Sequence, residues 1–114
     1  MLGRETAKGK DMRKKEQSPA FRRKMAENIS NKLLRYVSEL KGDEYEIIGK
    51  NGYFTLKDGV LSIYSADKPL FRGKPELLEI SELMSLEGAV IEGPDLDGND
   101  RKLIAYYVYY RPVT

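Results

Sequence analysis

FTLKDGVLSIYS, residues 54–65, is the stretch that decides the fold class of this chain. Asp58-Gly59 is a strong two-residue hairpin signal, and it separates two segments of alternating apolar and polar side chains. We therefore expect a β-hairpin in which Tyr53–Lys57 is the first strand and Val60–Ser65 is the second. The hairpin predicts an antiparallel sheet in at least this part of the molecule.

Further strands are expected on both sides of this hairpin. A turn signal at Asn51-Gly52 separates it from an upstream strand. The expected additional strands are Tyr45–Gly49, Glu76–Ile80, Ala89–Glu92 and Lys102–Arg111. Residues 66–75, ADKPLFRGKP, are expected to form a loop, and residues 80–86 a short helical turn. The short connections predict a mostly antiparallel sheet of about five strands within residues 44–111.

One amphipathic helix is expected before the sheet. Ser18 is a good helix cap, and Pro19 suits the first helical position. Apolar residues then recur at steps of three and four, and Gly42 is a natural stop. These residues are Phe21, Met25, Ile29, Leu33, Tyr36, Val37 and Leu40. The spacing predicts a helix over residues 19–41 that packs on the sheet, so the expected fold class is α+β.

Positive charge is concentrated at the N-terminal end. Residues 1–24 carry nine Lys or Arg and three acidic residues, a net charge of +6, whereas the remainder carries a net charge of −4. Residues 1–17 contain too few large apolar side chains to offset the entropy lost on ordering. We therefore expect a disordered, flexible basic arm over residues 1–17 and a single domain over residues 18–114.

The arm indicates a polyanionic partner, because Lys and Arg neutralise phosphates and release condensed counterions. The candidate nucleic-acid-binding residues are Arg13, Lys14, Lys15, Arg22, Arg23 and Lys24. The alternative interpretation is a solubilising tail with no specific partner. Composition does not distinguish DNA from RNA.

Four tyrosines lie in the segment LIAYYVYYRPV, residues 103–113. In a strand, Tyr107 and Tyr109 point to one side and Tyr106 and Tyr110 to the other, so one set is expected in the core and the other outside. Tyr107, Tyr109 and Arg111 are the candidate partner-binding residues. Tyrosine also favours strands for packing alone, so a structural role is the competing interpretation.

Two loops have a composition typical of ligand sites. Residues 94–100, PDLDGND, are rich in carboxylates, but their spacing differs from a calcium-binding loop and favours a tight turn. Residues 67–75 combine cations with Leu70-Phe71, a pattern also found in proteins that bind anionic membranes. We expect these two apolar side chains to fold back on the core, and a membrane partner is not expected.

Composition excludes several kinds of site. The chain has no cysteine and no histidine, which removes disulfides, thiolate metal sites and the commonest general base. No motif supplies an activated nucleophile, so we expect neither an enzyme nor a cofactor nor a metal. No apolar run has the length of a membrane span or a signal sequence, and the expected location is the cytoplasm.

The layout resembles two groups of proteins. The strand order from Gly49 to Tyr110 resembles pleckstrin-homology-like barrels, which close with a C-terminal helix, whereas here the helix comes first. The order of basic arm, helix and small sheet is similar to that of some small phage and plasmid proteins that inhibit nucleic-acid enzymes. Neither resemblance rests on a specific motif, so no family is assigned.

The sequence therefore predicts a small non-enzymatic binding protein. Its basic arm engages nucleic acid or a nucleoprotein complex, as a regulator or inhibitor. The alternative is a protein–protein interaction module, homodimeric through the C-terminal tyrosine-rich strand, with no nucleic-acid role. A weaker alternative is a protein that binds anionic membrane surfaces.

Overall fold

The computed structural model describes residues 18–108, and residues 1–17 and 109–114 lie outside the described part, including the predicted basic arm. The helix is α1, Pro19–Ile29. The strands are β1 (Leu33–Lys41), β2 (Glu44–Lys57), β3 (Val60–Ser65), β4 (Lys68–Gly73), β5 (Glu79–Glu82), β6 (Gly88–Pro94) and β7 (Asp100–Tyr107). A 3₁₀ turn covers Pro75–Leu77. The α+β class is confirmed, but the described sheet has seven strands rather than about five.

Helix α1 begins where the sequence predicts and ends much earlier. The Ser18 hydroxyl accepts a hydrogen bond from the Phe21 N–H at 3.2 Å, and Pro19 occupies the first turn. The helix ends at Ile29, where the Ser30 N–H donates to the Ala26 carbonyl at 3.0 Å, and a turn closed by the Lys32 N–H on the Ile29 carbonyl leads into β1. The prediction of a helix over residues 19–41 is therefore wrong, because its second half is strand β1.

Bulges explain why β1 has a helix-like sequence. The ladder shifts register against β7 between Leu34 and Tyr36, and against β2 between Val37 and Ser38. Each extra residue interrupts the two-residue alternation of a strand. The buried residues Leu34 and Val37 are consequently three positions apart, which is also the spacing of a helix face. Pairing on both edges of β1 then overrides local helix propensity.

Two other turns differ from the prediction. Asn51-Gly52 lies inside the continuous strand β2, where Asn51 has φ 56° and no chain reversal occurs. The predicted loop at residues 66–75 instead contains β4, which pairs with β3 after a turn at Ala66-Asp67. By contrast, the Asp58-Gly59 hairpin is confirmed, with left-handed φ values of 53° and 74°.

The described sheet is strongly curled. Its strand order is β4-β3-β2-β1-β7-β6-β5, so three strands separate β4 from β7. Nevertheless, Arg101 on β7 donates to the Leu70 carbonyl on β4 at 3.0 Å, and the Leu96 N–H donates to the Arg72 carbonyl at 2.9 Å. The inside of this curl holds the core, and α1 contributes Ala26 and Ile29 to it. The opposite side of the sheet is called the outer face below.

Strand β7 lies inside the sheet, between β1 and β6. Both of its edges are therefore occupied over residues 103–106, and this part of the strand cannot pair with a second copy of the chain. A homodimer through these residues would have to use the outer face of the strand rather than its hydrogen-bonding edge.

Candidate binding surfaces

The predicted nucleic-acid-binding residues divide into two groups. Arg13, Lys14 and Lys15 lie outside the described residues, whereas Arg22, Arg23 and Lys24 lie on α1. Arg22 donates to the Glu76 carbonyl at 3.2 Å, and Arg23 lies 3.4 Å from the Glu76 carboxylate. The Arg23 side chain is 51% exposed, so this ion pair is weak and open to competition. Lys24 is exposed and forms no ion pair with a described residue.

Tyr107 belongs to the core rather than to an exposed surface. Only 7% of the residue is accessible, and its hydroxyl donates to the Glu82 carboxylate at 3.0 Å. Burial, followed by this hydrogen bond, raises the pKa of the Tyr107 hydroxyl above its usual range. Tyr107 is therefore not presented to a partner, and the other candidates, Tyr109 and Arg111, lie outside the described residues.

Tyr106, which precedes Tyr107 on β7, points to the outer face. It lies opposite Tyr36 on β1, and the two rings stack with centroids 4.6 Å apart. The Arg35 guanidinium lies 5.7 Å from the centre of the Tyr36 ring. Partial burial, with a smaller contribution from Tyr36, raises the pKa of the Tyr106 hydroxyl. Sequence reasoning missed Tyr36 because the residue was assigned to the helix.

A second tyrosine pair lies further along the outer face. Tyr53 on β2 and Tyr64 on β3 are directly opposed and stack with centroids 5.4 Å apart. Their strand neighbours Phe54 and Ile63 are buried in the core, which places both tyrosine rings on the outer side. We call Tyr36, Tyr53, Tyr64 and Tyr106 the tyrosine band.

One further part of the outer face is mainly apolar. Tyr45 and Ile47 on β2 are 43% and 56% exposed, and Val90 and Ile104 form a half-buried cross-strand pair on β6 and β7. Ser38 lies between them on β1, opposite both Ile47 and Ile104. No described element covers this apolar area, which is typical of a surface that contacts another molecule.

A charged network closes the curl of the sheet at its other end. Arg101 binds Glu39 through two hydrogen bonds of 2.7 and 2.8 Å and lies 3.5 Å from Asp95. The Glu39 side chain is only 8% exposed, and the hydrogen bond from Arg101 holds the pKa of Glu39 below its usual range. These contacts join β1, β7 and the β6–β7 loop, so we assign the network to stability.

The carboxylate-rich loop is a tight turn, as its sequence predicts. Asp95 Oδ1 accepts hydrogen bonds from the backbone N–H groups of Asp97 and Asn99, at 2.9 and 3.0 Å, and Gly98 has φ 86°. The hydrogen bond from Asn99 is the main cause that lowers the pKa of Asp95. Over residues 18–108, no cluster of three or more acidic side chains has an arrangement that could hold a metal ion.

Leu70 and Phe71 fold back on the core, as the sequence predicts. Phe71 is 2% exposed within the core, and Leu70 packs against the core. The pair is therefore unavailable for insertion into a bilayer. In the part of the chain that the structure describes, no helix is both long enough and apolar enough to cross a membrane.

A cleft of about 570 Å³ lies between the α1–β1 turn and the β5–β6 loop. Its lining includes the apolar residues Leu33, Leu86 and Val108 and the cations Lys32 and Arg35. Arg35 donates to the Tyr107 carbonyl at 2.9 Å and lies 3.9 Å from Glu87.

Comparison of the chain with models of protein families, with curated proteins and with solved structures gave no significant match. The functional assignment therefore rests on the charges and surfaces of this molecule alone.

Proposed function

We propose that this chain is a small non-enzymatic binding protein that engages nucleic acid, or a nucleoprotein complex, through its basic N-terminal segment, residues 1–24. The observation that carries the proposal is the segregation of charge, with a net +6 over residues 1–24 and a net −4 over the rest. A protein that binds a polyanion in this way can act as a regulator or an inhibitor by occupying the nucleic acid.

Helix α1 extends the positive segment onto the folded domain. Its first two turns carry Arg22, Arg23 and Lys24 with no acidic residue in the first turn, although cations are unfavourable at this end of a helix. Among the described residues, Glu76 is the one that contacts these cations. Its backbone carbonyl accepts a hydrogen bond from Arg22, and its carboxylate accepts one from Arg23. Phosphates can therefore reach Arg23 and Lys24 by displacing at most one exposed ion pair.

The matched experiment compares two triple variants of the full chain. R13Q/K14Q/K15Q removes three cations from the N-terminal segment, whereas K57Q/R72Q/K74Q removes three exposed cations from the folded domain. We expect the first variant to bind a dye-labelled oligonucleotide at least about tenfold more weakly, because each lost phosphate contact lowers salt-dependent affinity. The second variant, with the same change in net charge, should bind within about twofold of the parent.

Equal losses in the two variants would show that only overall charge matters and would refute a role for the N-terminal segment. Fluorescence anisotropy at fixed ionic strength is a suitable measurement, because both variants retain every contact of the described core.

The apolar part of the outer face favours a second candidate, a protein–protein interaction module. Tyr45, Ile47, Val90 and Ile104 form an aliphatic and aromatic surface that no described element covers. Light scattering at high salt distinguishes the two candidates, since apolar association persists there and charge-driven association does not. A homodimer that dissociates in an Ile47→Asp variant would support the second candidate.

A further inference from the structure

We infer that the tyrosine band is a stacking surface for the bases of a single-stranded nucleic acid. This inference rests on the proposed function and adds a second, separate site to it. The N-terminal segment supplies contacts to phosphates, whereas the band, with Arg35 and Lys50, supplies contacts to bases and to the adjoining backbone.

The position of the four rings supports this assignment. Tyr64, Tyr53, Tyr36 and Tyr106 lie on the neighbouring strands β3, β2, β1 and β7, all on the outer face. The centres of the two stacked pairs are two strand spacings apart across the sheet, which is about 10 Å, and they are offset by three residues along the strands, which is roughly another 10 Å in that direction. Leu33, opposite Tyr53 and 64% exposed, lies between them. A single strand that crosses the sheet meets aromatic rings at both ends of this distance.

Tyr106 is half-buried, as are the other three tyrosines of the band, but its two flanks differ. Tyr36 stacks against one side of it, and the residue opposite Tyr106 on its other side is Gly88 of β6. Gly88 has no side chain, and a Cβ there would lie 2.5 Å from the Ala105 carbonyl oxygen, so the backbone geometry requires glycine. The β6 side of the Tyr106 ring is therefore not covered by a side chain from the opposing residue.

Positive charge accompanies the rings. Lys50 lies directly opposite Tyr36, and Arg35 lies beside the same ring. Lys50 has no carboxylate within 4 Å among residues 18–108, and its backbone N–H and carbonyl are both held by the Ser65 hydroxyl, at 3.2 and 2.6 Å. The described domain carries 13 basic and 15 acidic residues, so exposed cations beside aromatic rings are a local exception to its acidic balance.

This chemistry fits single strands better than duplexes. Every base has a π-face that can stack on an aromatic side chain, and the nearby cations follow the phosphate backbone. In a duplex the bases are already stacked on one another, so their faces are not free. The aliphatic surface around Ile47 lacks these features, so we assign it to the second candidate function, a protein–protein interaction module.

The test uses the full chain and a dye-labelled oligothymidylate of about twelve nucleotides, which is within the usual length of such sites. Tyr106→Leu and Tyr36→Leu retain an apolar strand residue but remove the aromatic ring. Lys50→Gln removes the cation at an exposed position and leaves the core untouched. Tyr45→Leu is the matched control, because Tyr45 is an exposed tyrosine on the same face outside the band.

We expect Tyr106→Leu to weaken binding at least about fivefold without changing its salt dependence, since stacking releases no counterions. Lys50→Gln should weaken binding about twofold to fivefold and reduce the salt dependence. Tyr45→Leu should bind as the parent does, and circular dichroism should show all variants to be folded. Protection of the oligonucleotide fluorescence from a quencher should decrease in Tyr106→Leu and in Tyr36→Leu, but not in Tyr45→Leu.

The outcomes separate this inference from the proposed function. Binding that is lost in R13Q/K14Q/K15Q and unchanged in Tyr106→Leu, Tyr36→Leu and Lys50→Gln overturns the tyrosine band and leaves the proposed function standing. Binding that is lost in the band variants and unchanged in R13Q/K14Q/K15Q supports the band and refutes the N-terminal segment. Absence of oligonucleotide binding by the parent, or capture of a protein by the band instead, overturns both.

Discussion

Single residues decide how the described domain holds its curled shape. Arg101 contacts three separate parts of the chain through its guanidinium, namely Glu39, Asp95 and the Leu70 carbonyl. Its Cζ also lies 5.3 Å from the centre of the Phe71 ring. A planar guanidinium with five donors can satisfy such partners simultaneously, which a lysine cannot do. We therefore regard Arg101 as the residue that links β4 and β7.

Replacing Arg101 by Met should destabilise the fold by about 3 kcal/mol, because it leaves Glu39 charged and buried without its main partner. The control is Lys41→Gln, which removes an exposed cation 3.7 Å from the same carboxylate and should cost at most about 1 kcal/mol. Urea denaturation measures both effects. Similar values for the two variants would contradict the structural role of Arg101.

The pH dependence of stability should report Glu39. The pKa of Glu39 is lower in the folded protein than in the unfolded chain, so its ionisation stabilises the fold above the unfolded value and this stabilisation is lost as the pH falls through the folded value. The parent should therefore lose stability on acidification below the ordinary glutamate range. In Glu39→Gln the corresponding part of the pH profile should be absent. A profile unchanged by the substitution would exclude Glu39 as the group.

The tyrosines show what could be predicted for the candidate site at this scale. Alternation along a strand correctly placed Tyr107 and Tyr106 on opposite sides, but the sequence could not say which side was the core. That choice depends on the partners of β7 across the sheet, where Ala105 and Leu103 lie against buried residues of β1 and β6. Tyr36 was not predictable as a surface residue, because its strand was assigned as a helix.

At the scale of elements, local signals were reliable where the backbone requires a particular residue. Asp58-Gly59 satisfies two left-handed positions with residues that tolerate them, so the β2–β3 hairpin was predictable. The β3–β4 turn places Ala66 at φ 54°, a left-handed backbone angle that alanine rarely adopts. An alanine at this position therefore does not indicate a turn in the sequence. Strand β4 was missed for this reason, and β1 was missed because bulges gave it helical spacing.

The left-handed conformation of Ala66 predicts that substitution by glycine stabilises the protein, whereas such substitutions usually destabilise. Ala66→Gly should stabilise the protein by up to about 1 kcal/mol, because relief of the left-handed penalty exceeds the additional entropy of glycine in the unfolded chain. Ala20→Gly, at an exposed position of α1, should destabilise it by about 1 kcal/mol. Thermal denaturation of both variants measures the difference. A lower melting temperature for Ala66→Gly would contradict the strain that we infer.

At the scale of the whole molecule, charge and apolar surface are distributed separately. The N-terminal segment holds the excess positive charge, while the described domain is slightly acidic and presents aromatic and aliphatic side chains on one sheet face. Such a division suits a protein that attracts a polyanion over a distance and then makes short-range contacts with it. The class of the fold was predictable from the sequence, but the outer face was not, because it is created by strand order and curl.

The most direct test of the proposed function is the affinity of the unmodified full chain for the single-stranded oligonucleotide at a series of salt concentrations. The account predicts that the logarithm of the association constant falls linearly with the logarithm of salt concentration. The slope should have a magnitude of at least about 2, which corresponds to three or more neutralised phosphates. Absence of binding at low salt, or binding with a slope near zero, would contradict it.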